Sequence, residues 1–307
     1  MNATADLKTH IPSRLALTGR LGKRYAARID YTLEPMQQRN FNFSYMFQYN
    51  DINIYEEGDR AYNTTYKYHL AEFGFSDVWY KNFRFGLGLR FEYYKYKDFL
   101  FKKPEISDLK VESEHFLSYF AQVQYNTYDK GRFPSKGSDF RAAYSLYTDN
   151  MAQYNDHAPF SALSGSWSSV IPVTRRFSII PSIYGRVLIG KDIAYPLQNA
   201  IGGEVYGLYI PQQLPFAGVT NMELMDNSIM IASVKLRQRM GSIHYLTLTG
   251  NYGLTDSHFF EILKGKQLFG ISAGYGMDSM FGPLEITFGY SNQTDKGSCY
   301  VNLGYYF

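Results

Sequence analysis

Almost the whole of this 307-residue chain alternates apolar and polar side chains with a period of two. Successive side chains of a strand point to opposite faces, so this period marks strands with two unlike faces. In 41–49, Phe41, Phe43, Tyr45, Phe47 and Tyr49 share one face, and Asn42, Ser44, Met46 and Gln48 share the other. In 84–93, Phe85, Leu87, Leu89, Phe91 and Tyr93 alternate with Arg84, Gly86, Gly88, Arg90 and Glu92. In 269–278, Phe269, Ile271, Ala273, Tyr275 and Met277 alternate with Gly270, Ser272, Gly274, Gly276 and Asp278. At the end of the chain, Cys299, Val301, Leu303, Tyr305 and Phe307 form one face and Tyr300, Asn302, Gly304 and Tyr306 the other.

The pattern places strands at 13–21, 25–33, 41–55, 64–76, 83–97, 112–127, 138–149, 157–171, 177–190, 227–240, 242–254, 266–278, 283–293 and 298–307, with a shorter alternating piece at 2–8. The phase of 64–76 changes between Leu70 and Phe73, which predicts a β-bulge there. No helical segment is available to cover one face of so many strands. The longest apolar runs are a few residues, far short of the ~20 that a membrane helix needs. A chain of this kind spans a bilayer only as a closed barrel, which pairs every backbone group without water. Aromatic residues make up 18% of the chain, with 29 Tyr and 23 Phe, and this supplies the amphipathic girdles of such a barrel. The expected fold is an all-β, transmembrane, antiparallel up-and-down barrel of about fourteen strands plus an N-terminal remnant.

No linker or composition shift divides the chain, so residues 1–307 read as one barrel domain. The net charge of +3 gives no nucleic-acid footprint. The lone Cys299 excludes an internal disulfide framework, and the six histidines show no metal-ligand spacing, so neither a metal nor a cofactor is expected. The N-terminal residues are not a signal peptide, and the expectation is an export signal upstream or already removed. Connections at 172–176, 240–242 and 279–283 are short, while those at 98–111, 255–265 and 191–226 are longer. Short periplasmic turns and longer outer loops follow this pattern, which puts the C-terminal Phe307 on the periplasmic side. Single-chain bacterial barrels have even strand numbers, and the odd total is repaired if 2–8 is the tail of a strand that begins upstream.

Three segments resemble the bacterial surface antigen barrels, a superfamily that includes outer-membrane assembly factors and two-partner secretion pores. Tyr128-Asp129-Lys130-Gly131-Arg132-Phe133-Pro134-Ser135-Lys136-Gly137 resembles the family's Asp-x-x-x-x-Phe-Pro-Thr-x-Gly periplasmic turn. Pro134 fixes φ there, and Gly137 supplies permissive backbone where the next strand begins. The long loop 191–226 contains Ile201-Gly202-Gly203-Glu204-Val205-Tyr206-Gly207, which resembles a family loop that folds into the lumen; the alternative is an extracellular loop that serves surface adhesion. In the family, an arginine of that loop pairs with an aspartate on the wall. Here Tyr206 and Asn251 occupy those positions, so both charges are gone together, and their loss counts against protein translocation. The C-terminal stretch, ending Tyr305-Tyr306-Phe307, resembles the signal read by the barrel-assembly machinery, with Tyr305 and Phe307 as its key positions.

Pro215-Phe216-Ala217-Gly218 and Phe281-Gly282-Pro283-Leu284-Glu285-Ile286 bring the resemblance to a narrower branch, the C-terminal barrel domains of Bacteroidetes patatin-like phospholipases. Family barrels have sixteen strands, and the match begins inside the second. The resemblance implies an outer-membrane anchor for an upstream phospholipase domain that this chain does not contain. The alternatives are a protein-translocating or solute-conducting pore and a lipase on the barrel wall. Gly270-Ile271-Ser272-Ala273-Gly274 does fit the serine-hydrolase pattern, but that chemistry needs Ser on a strand-to-helix elbow. Ser272 lies mid-strand and no Asp-Gly-Gly or Asp-Gly-Ala partner exists, so no catalytic residue is expected and the chain reads as no enzyme. Expected partners are outer-membrane lipid, the assembly machinery during insertion and, through an open first edge, a second copy. The charges Arg28, Asp30, Arg84, Arg90, Glu92, Asp139, Arg141, Arg186, Lys235, Arg237 and Glu285 are expected inside, as ion pairs in a hydrated lumen around the inserted loop.

Overall fold

A computed structural model describes residues 2–7, 10–21, 24–36, 39–101, 112–130, 133–150, 153–154, 158–191, 193–207, 210–280 and 282–303. Ten strands come first: β1 (Asn2–Leu7), β2 (Ser13–Arg20), β3 (Tyr25–Met36), β4 (Arg39–Glu56), β5 (Asp59–Tyr80), β6 (Phe83–Phe101), β7 (Glu114–Asn126), β8 (Gly137–Tyr147), β9 (Phe160–Pro172) and β10 (Phe177–Ile189). A long connection follows, with a 3-10 turn at Tyr195–Leu197 and three short strands, β11 (Ala200–Ile201), β12 (Gln213–Leu214) and β13 (Met222–Leu224). The wall resumes with β14 (Ser228–Met240), β15 (His244–Asp256), β16 (Lys266–Ser279), β17 (Gly282–Ser291) and β18 (Lys296–Leu303), and a 3-10 helix at Phe259–Lys264 joins β15 to β16.

Each wall strand pairs antiparallel with its sequence neighbour, and β10 pairs with β14 across the long connection. The piece at 2–8 is therefore a wall strand, with Asn2–Leu7 paired to β2. The far members of the wall approach one another at the end that carries the long connections. Lys296 of β18 pairs with Asp59 of β5 at 2.6 Å, and the carboxylate of Glu223, on β13, accepts bonds from Gly58 N–H and Gln293 Nε2.

Where the strands meet lipid, the faces are as the alternation predicts. Phe43, Tyr45, Phe73, Phe85, Leu87 and Phe91 stand exposed on the outside, as do Leu163, Trp167, Ile183, Leu246, Leu248, Phe269, Ile271 and Phe288. From Phe83 to Tyr93, at ~3.3 Å per residue and a ~40° tilt, β6 climbs about 25 Å, the height of an outer-membrane apolar band. Two neighbouring rows, Tyr25 with Tyr49 and, one pair lower, Phe47 with His69 and Tyr93, form an aromatic rim at its upper edge; Tyr25 and Tyr49 stack at 4.8 Å, and Tyr45 Oη meets His69 Nδ1 at 2.8 Å.

Above that rim the polarity of β4, β5 and β6 inverts. Ile52, Ile54, Tyr62, Tyr66, Tyr68, Leu70 and Tyr94 now point inward and are buried, while Lys67 and Lys95 face out. This corrects the bulge expected between Leu70 and Phe73. The pairing is regular there, and register shifts occur instead between Thr65 and Tyr66 and between Gly74 and Ser76. Leu70 breaks the simple pattern because it faces an apolar interior, not because the strand changes phase. The expectation of a polar lumen throughout is likewise corrected: the interior is polar in the lower half and apolar in the upper half.

Candidate functional site: the loop that fills the upper lumen

The connection between β10 and β14 supplies the apolar interior with its partner. Gly202 and Gly203 adopt positive φ (140° and 67°), which L side chains rarely do, and let the chain fold back on itself. A Cβ at Gly202 would strike the carbonyl of Asn221. The result is a three-limbed unit: β11 lies between a parallel β12 and an antiparallel β13, and β13 pairs in parallel with β4 through Met222 and Glu223.

Two clusters anchor this unit inside the wall. Leu197, Ala200, Ile210 and Met222 pack with inward residues of β4 to β10, among them Ile54, Tyr66, Tyr94, Phe116, Phe160 and Leu188. Ile201, Leu214, Phe216 and Val219 pack with Tyr184, Ile229, Ile231 and Leu268. Glycines on the facing wall make room for Pro215–Gly218. A Cβ at Gly270 would strike the Ala217 carbonyl, and one at Gly289 would come within 2.8 Å of Gly218 Cα. Gly270 of β16 thus serves close approach, and Ser272, two residues on, is buried mid-strand, with regular pairing on both sides and no elbow.

The loop-motif residues meet the wall through a residue that sequence reading missed. Asn251 on β15 donates to Tyr184 Oη at 2.9 Å, and Ser233 donates to Asn251 Oδ1 at 3.2 Å. Tyr184 in turn donates to the carbonyl of Pro215 at 2.8 Å and lies edge-to-face with the ring of Tyr206, centroids 5.3 Å apart. Tyr206 and Asn251 therefore share Tyr184 as an intermediary. A neutral chain of contacts occupies the place where a buried ion pair would carry a desolvation cost. The only sequence signal was a tyrosine on the inward phase of 177–190. Val205 and Gly207 flank this contact, and Gly207 takes a φ of 64°. Burial raises the pKa of Glu204 on the same loop, and Thr287 donates to it at 3.4 Å.

The turn before β8 closes the lower lumen. Asp129 accepts bonds from Ser135 N–H (2.7 Å), Ser135 Oγ and Lys136 N–H (3.3 Å), and the Ser135 hydroxyl leads in holding its carboxyl below the usual range. Gly137 has φ 104°, and a Cβ there would strike Thr127 O. Phe133 (φ 47°) turns its ring into the lumen, where it stacks on Tyr245 at 4.3 Å against Gly276, and Arg237 donates to the Pro134 carbonyl. Tyr305 and Phe307 lie outside the described residues.

Between plug and turn are two polar chambers of about 440 and 330 Å³, with Tyr206 on the border of both. On the larger chamber's wall Arg141 pairs with Asp139 at 3.0 Å, and Arg90 pairs with Glu72 at 2.8 Å. A third, smaller space is lined by Arg28 paired with Asp30 and Arg84 paired with Asp77, both at 2.8 Å. Glu92 accepts from Tyr68, Tyr94 and Tyr147, and Arg186 donates to Leu197 O and Asn199 Oδ1. Asp256, His258 and Glu261 come within 4.8 Å of one another on the β15–β16 connection, where Asp256 accepts the His258 N–H in a local turn.

An antiparallel meander with an apolar outer band, girdles at its rim and an inserted loop defines a membrane β-barrel with a plugged lumen. The chain belongs to the OMP85 superfamily, whose sequence model matches residues 33–307. Barrels of this superfamily are outer-membrane proteins. Solved structures with a similar fold include BamA from Haemophilus ducreyi lacking POTRA domains 1-3, at 13% identity and TM-score 0.72, which covers 99% of this chain and 66% of that one. CdiB from Escherichia coli is 14% identical at TM-score 0.62, covering 94% of this chain and 55% of its own, and CdiB from Acinetobacter baumannii is 10% identical at 0.56, covering 94% and 54%. The chain thus spans between about half and two thirds of the length of these proteins. No curated protein sequence matches it.

Proposed function

We propose that this barrel is the outer-membrane anchor of a larger protein, with a patatin-like phospholipase domain N-terminal to it. The observation that carries the reading is the apolar seal: loop residues Leu197, Ile201, Phe216 and Met222 are buried against inward wall residues from β4 to β16. A translocation path needs a hydrated, displaceable loop, and this one is held by a core. In this reading the long connections face the exterior, and the turn at Asp129, Phe133, Pro134, Lys136 and Gly137 faces the periplasm with the C-terminus. Tyr305 and Phe307 then carry the insertion signal for the barrel-assembly machinery. The reading frame upstream of this chain tests the proposal. A frame with G-x-S-x-G at a strand–helix turn and Asp-Gly-Gly or Asp-Gly-Ala supports it, and a frame without them ends it.

The second reading, a secretion or solute pore, draws on the fold shared with CdiB. Planar-bilayer recordings separate the two, because a steady open conductance belongs only to a pore.

A further inference from the structure

The connection from β15 to β16 carries a 3-10 helix, Phe259–Lys264, with the sequence Phe-Phe-Glu-Ile-Leu-Lys. At three residues per turn, side chains at i and i+3 eclipse, so a 3-10 helix of this length has three faces. Phe259 and Ile262 form the first, and Ile262 is only 4% exposed. Glu261 and Lys264 form the second, which is polar. Phe260 and Leu263 form the third, and they are 87% and 81% exposed, among the most exposed large apolar side chains in the described chain.

The helix touches β10, β14 and β15. On those strands the outward phase includes Ile183, Met230 and Val234, all bare. Val187 and Ser228 lie on that same phase, paired with each other, and both are buried. The helix therefore lies against the outer surface of the wall at its upper end, with the Phe259/Ile262 face over the row of Val187 and Ser228. Height supports the placement. From the row of Gln238 and Leu246 up to that of Ser228 and Asp256 the wall rises about 25 Å, at ~3.3 Å per residue and ~40° tilt, which brings the helix to the top of the apolar band. Phe260 and Leu263 are exposed, as are Met230, Tyr252 and Phe269 on the outward phase of β14, β15 and β16. A short segment with one apolar face toward lipid and one polar face toward water suits the plane of a membrane interface.

We infer that the helix Phe259–Lys264 is a lipid-interface anchor, with Phe260 and Leu263 inserted among the acyl chains of the outer leaflet and Glu261 and Lys264 at headgroup level. It fixes the tilt and rotation of the barrel on the β14–β16 side, as the Tyr25, Tyr49 and Tyr93 rim does on the opposite side.

The test uses the full chain in vesicles of phosphatidylethanolamine and phosphatidylglycerol. A nitroxide is placed at Phe260→Cys, Leu263→Cys or Glu261→Cys, each in a Cys299→Ser background because Cys299 is the sole native cysteine. Faster migration on unheated gels confirms that each variant folds. Labels at 260 and 263 should collide several-fold more with oxygen than with a water-soluble nickel chelate, and the label at 261 should show the reverse. Nickel dominating at all three positions would overturn the inference by placing the apolar face in water. Low access to both reagents, with spin–spin broadening, would overturn it by showing the face covered by a second copy.

Discussion

Tyr184 and Asn251 are joined by a 2.9 Å hydrogen bond on the inner wall, and the same tyrosine hydroxyl is spent on the Pro215 carbonyl of the inserted loop. At this point of the lumen one neutral oxygen ties wall to loop. Tyr184→Phe removes that oxygen and strands both partners. The expected loss is about 1–3 kcal/mol in urea unfolding of vesicle-reconstituted protein, followed by Trp fluorescence. Asn251→Asp should be worse, because it buries a charge with no arginine opposite. An unchanged midpoint for Tyr184→Phe would remove Tyr184 from this role.

At glycines 270 and 289 the wall makes room for the Pro215–Gly218 segment of the loop. Gly270→Val should displace Pro215–Gly218 and cost about 1–3 kcal/mol through overpacking. In planar bilayers it should produce openings absent from the wild type. Gly250→Ala is the control, since nothing lies within 4 Å of a Cβ there. A silent Gly270→Val barrel would mean that the apolar seal does not depend on this contact.

The Asp129 carboxyl is held below its ordinary pKa by the Ser135 hydroxyl and the backbone N–H groups of Ser135 and Lys136. A depressed carboxyl stabilises the fold above its unfolded pKa of ~3.9, and that contribution fades as pH falls through the folded value. Wild type should therefore melt above Asp129→Asn at pH ~6, and the gap should narrow as pH falls below the unfolded value of ~3.9. Parallel melting curves across that range would show the turn to be indifferent to the charge.

Ser272 is a buried wall residue in the middle of a regular strand, paired with Thr249 on one side and Gly289 on the other. The purified chain should hydrolyse no p-nitrophenyl ester or phospholipid above background, and Ser272→Ala should change nothing. Activity lost specifically in Ser272→Ala would revive the lipase reading of the barrel wall.

Period two made the wall legible because each strand has one environment on each side. It placed all fifteen wall strands, including Asn2–Leu7, but left the loop 191–226 open between the lumen and the outer surface. It could not say which side was apolar once a strand left the bilayer, because Ile52 and Phe43 obey the same alternation with opposite meaning. Tyr184 was hidden for the same reason: an inward tyrosine reads alike whether it is solvated or holds a loop. The 3-10 helix at Phe259–Lys264 was read only as part of a connection. Six residues carry too little periodicity to announce a helix, and its exposed face makes sense only against the wall beside it.

The inversion of polarity along β4, β5 and β6 also sets how deep the molecule sits. Up to the row of Phe47, His69 and Tyr93 the outer surface is oily, and one residue pair higher it carries Lys67 and Lys95 beside Tyr49. Sinking by one such step, ~5 Å, would drag both lysines toward hydrocarbon, at a cost from about 1 kcal/mol each near the edge to ~2–4 at the midplane. Rising by the same step would lift Phe47 and Tyr93 to the level of the lysines, out into water. The barrel therefore carries its own waterline, written into three strands, and floats at one level whatever is attached to its ends.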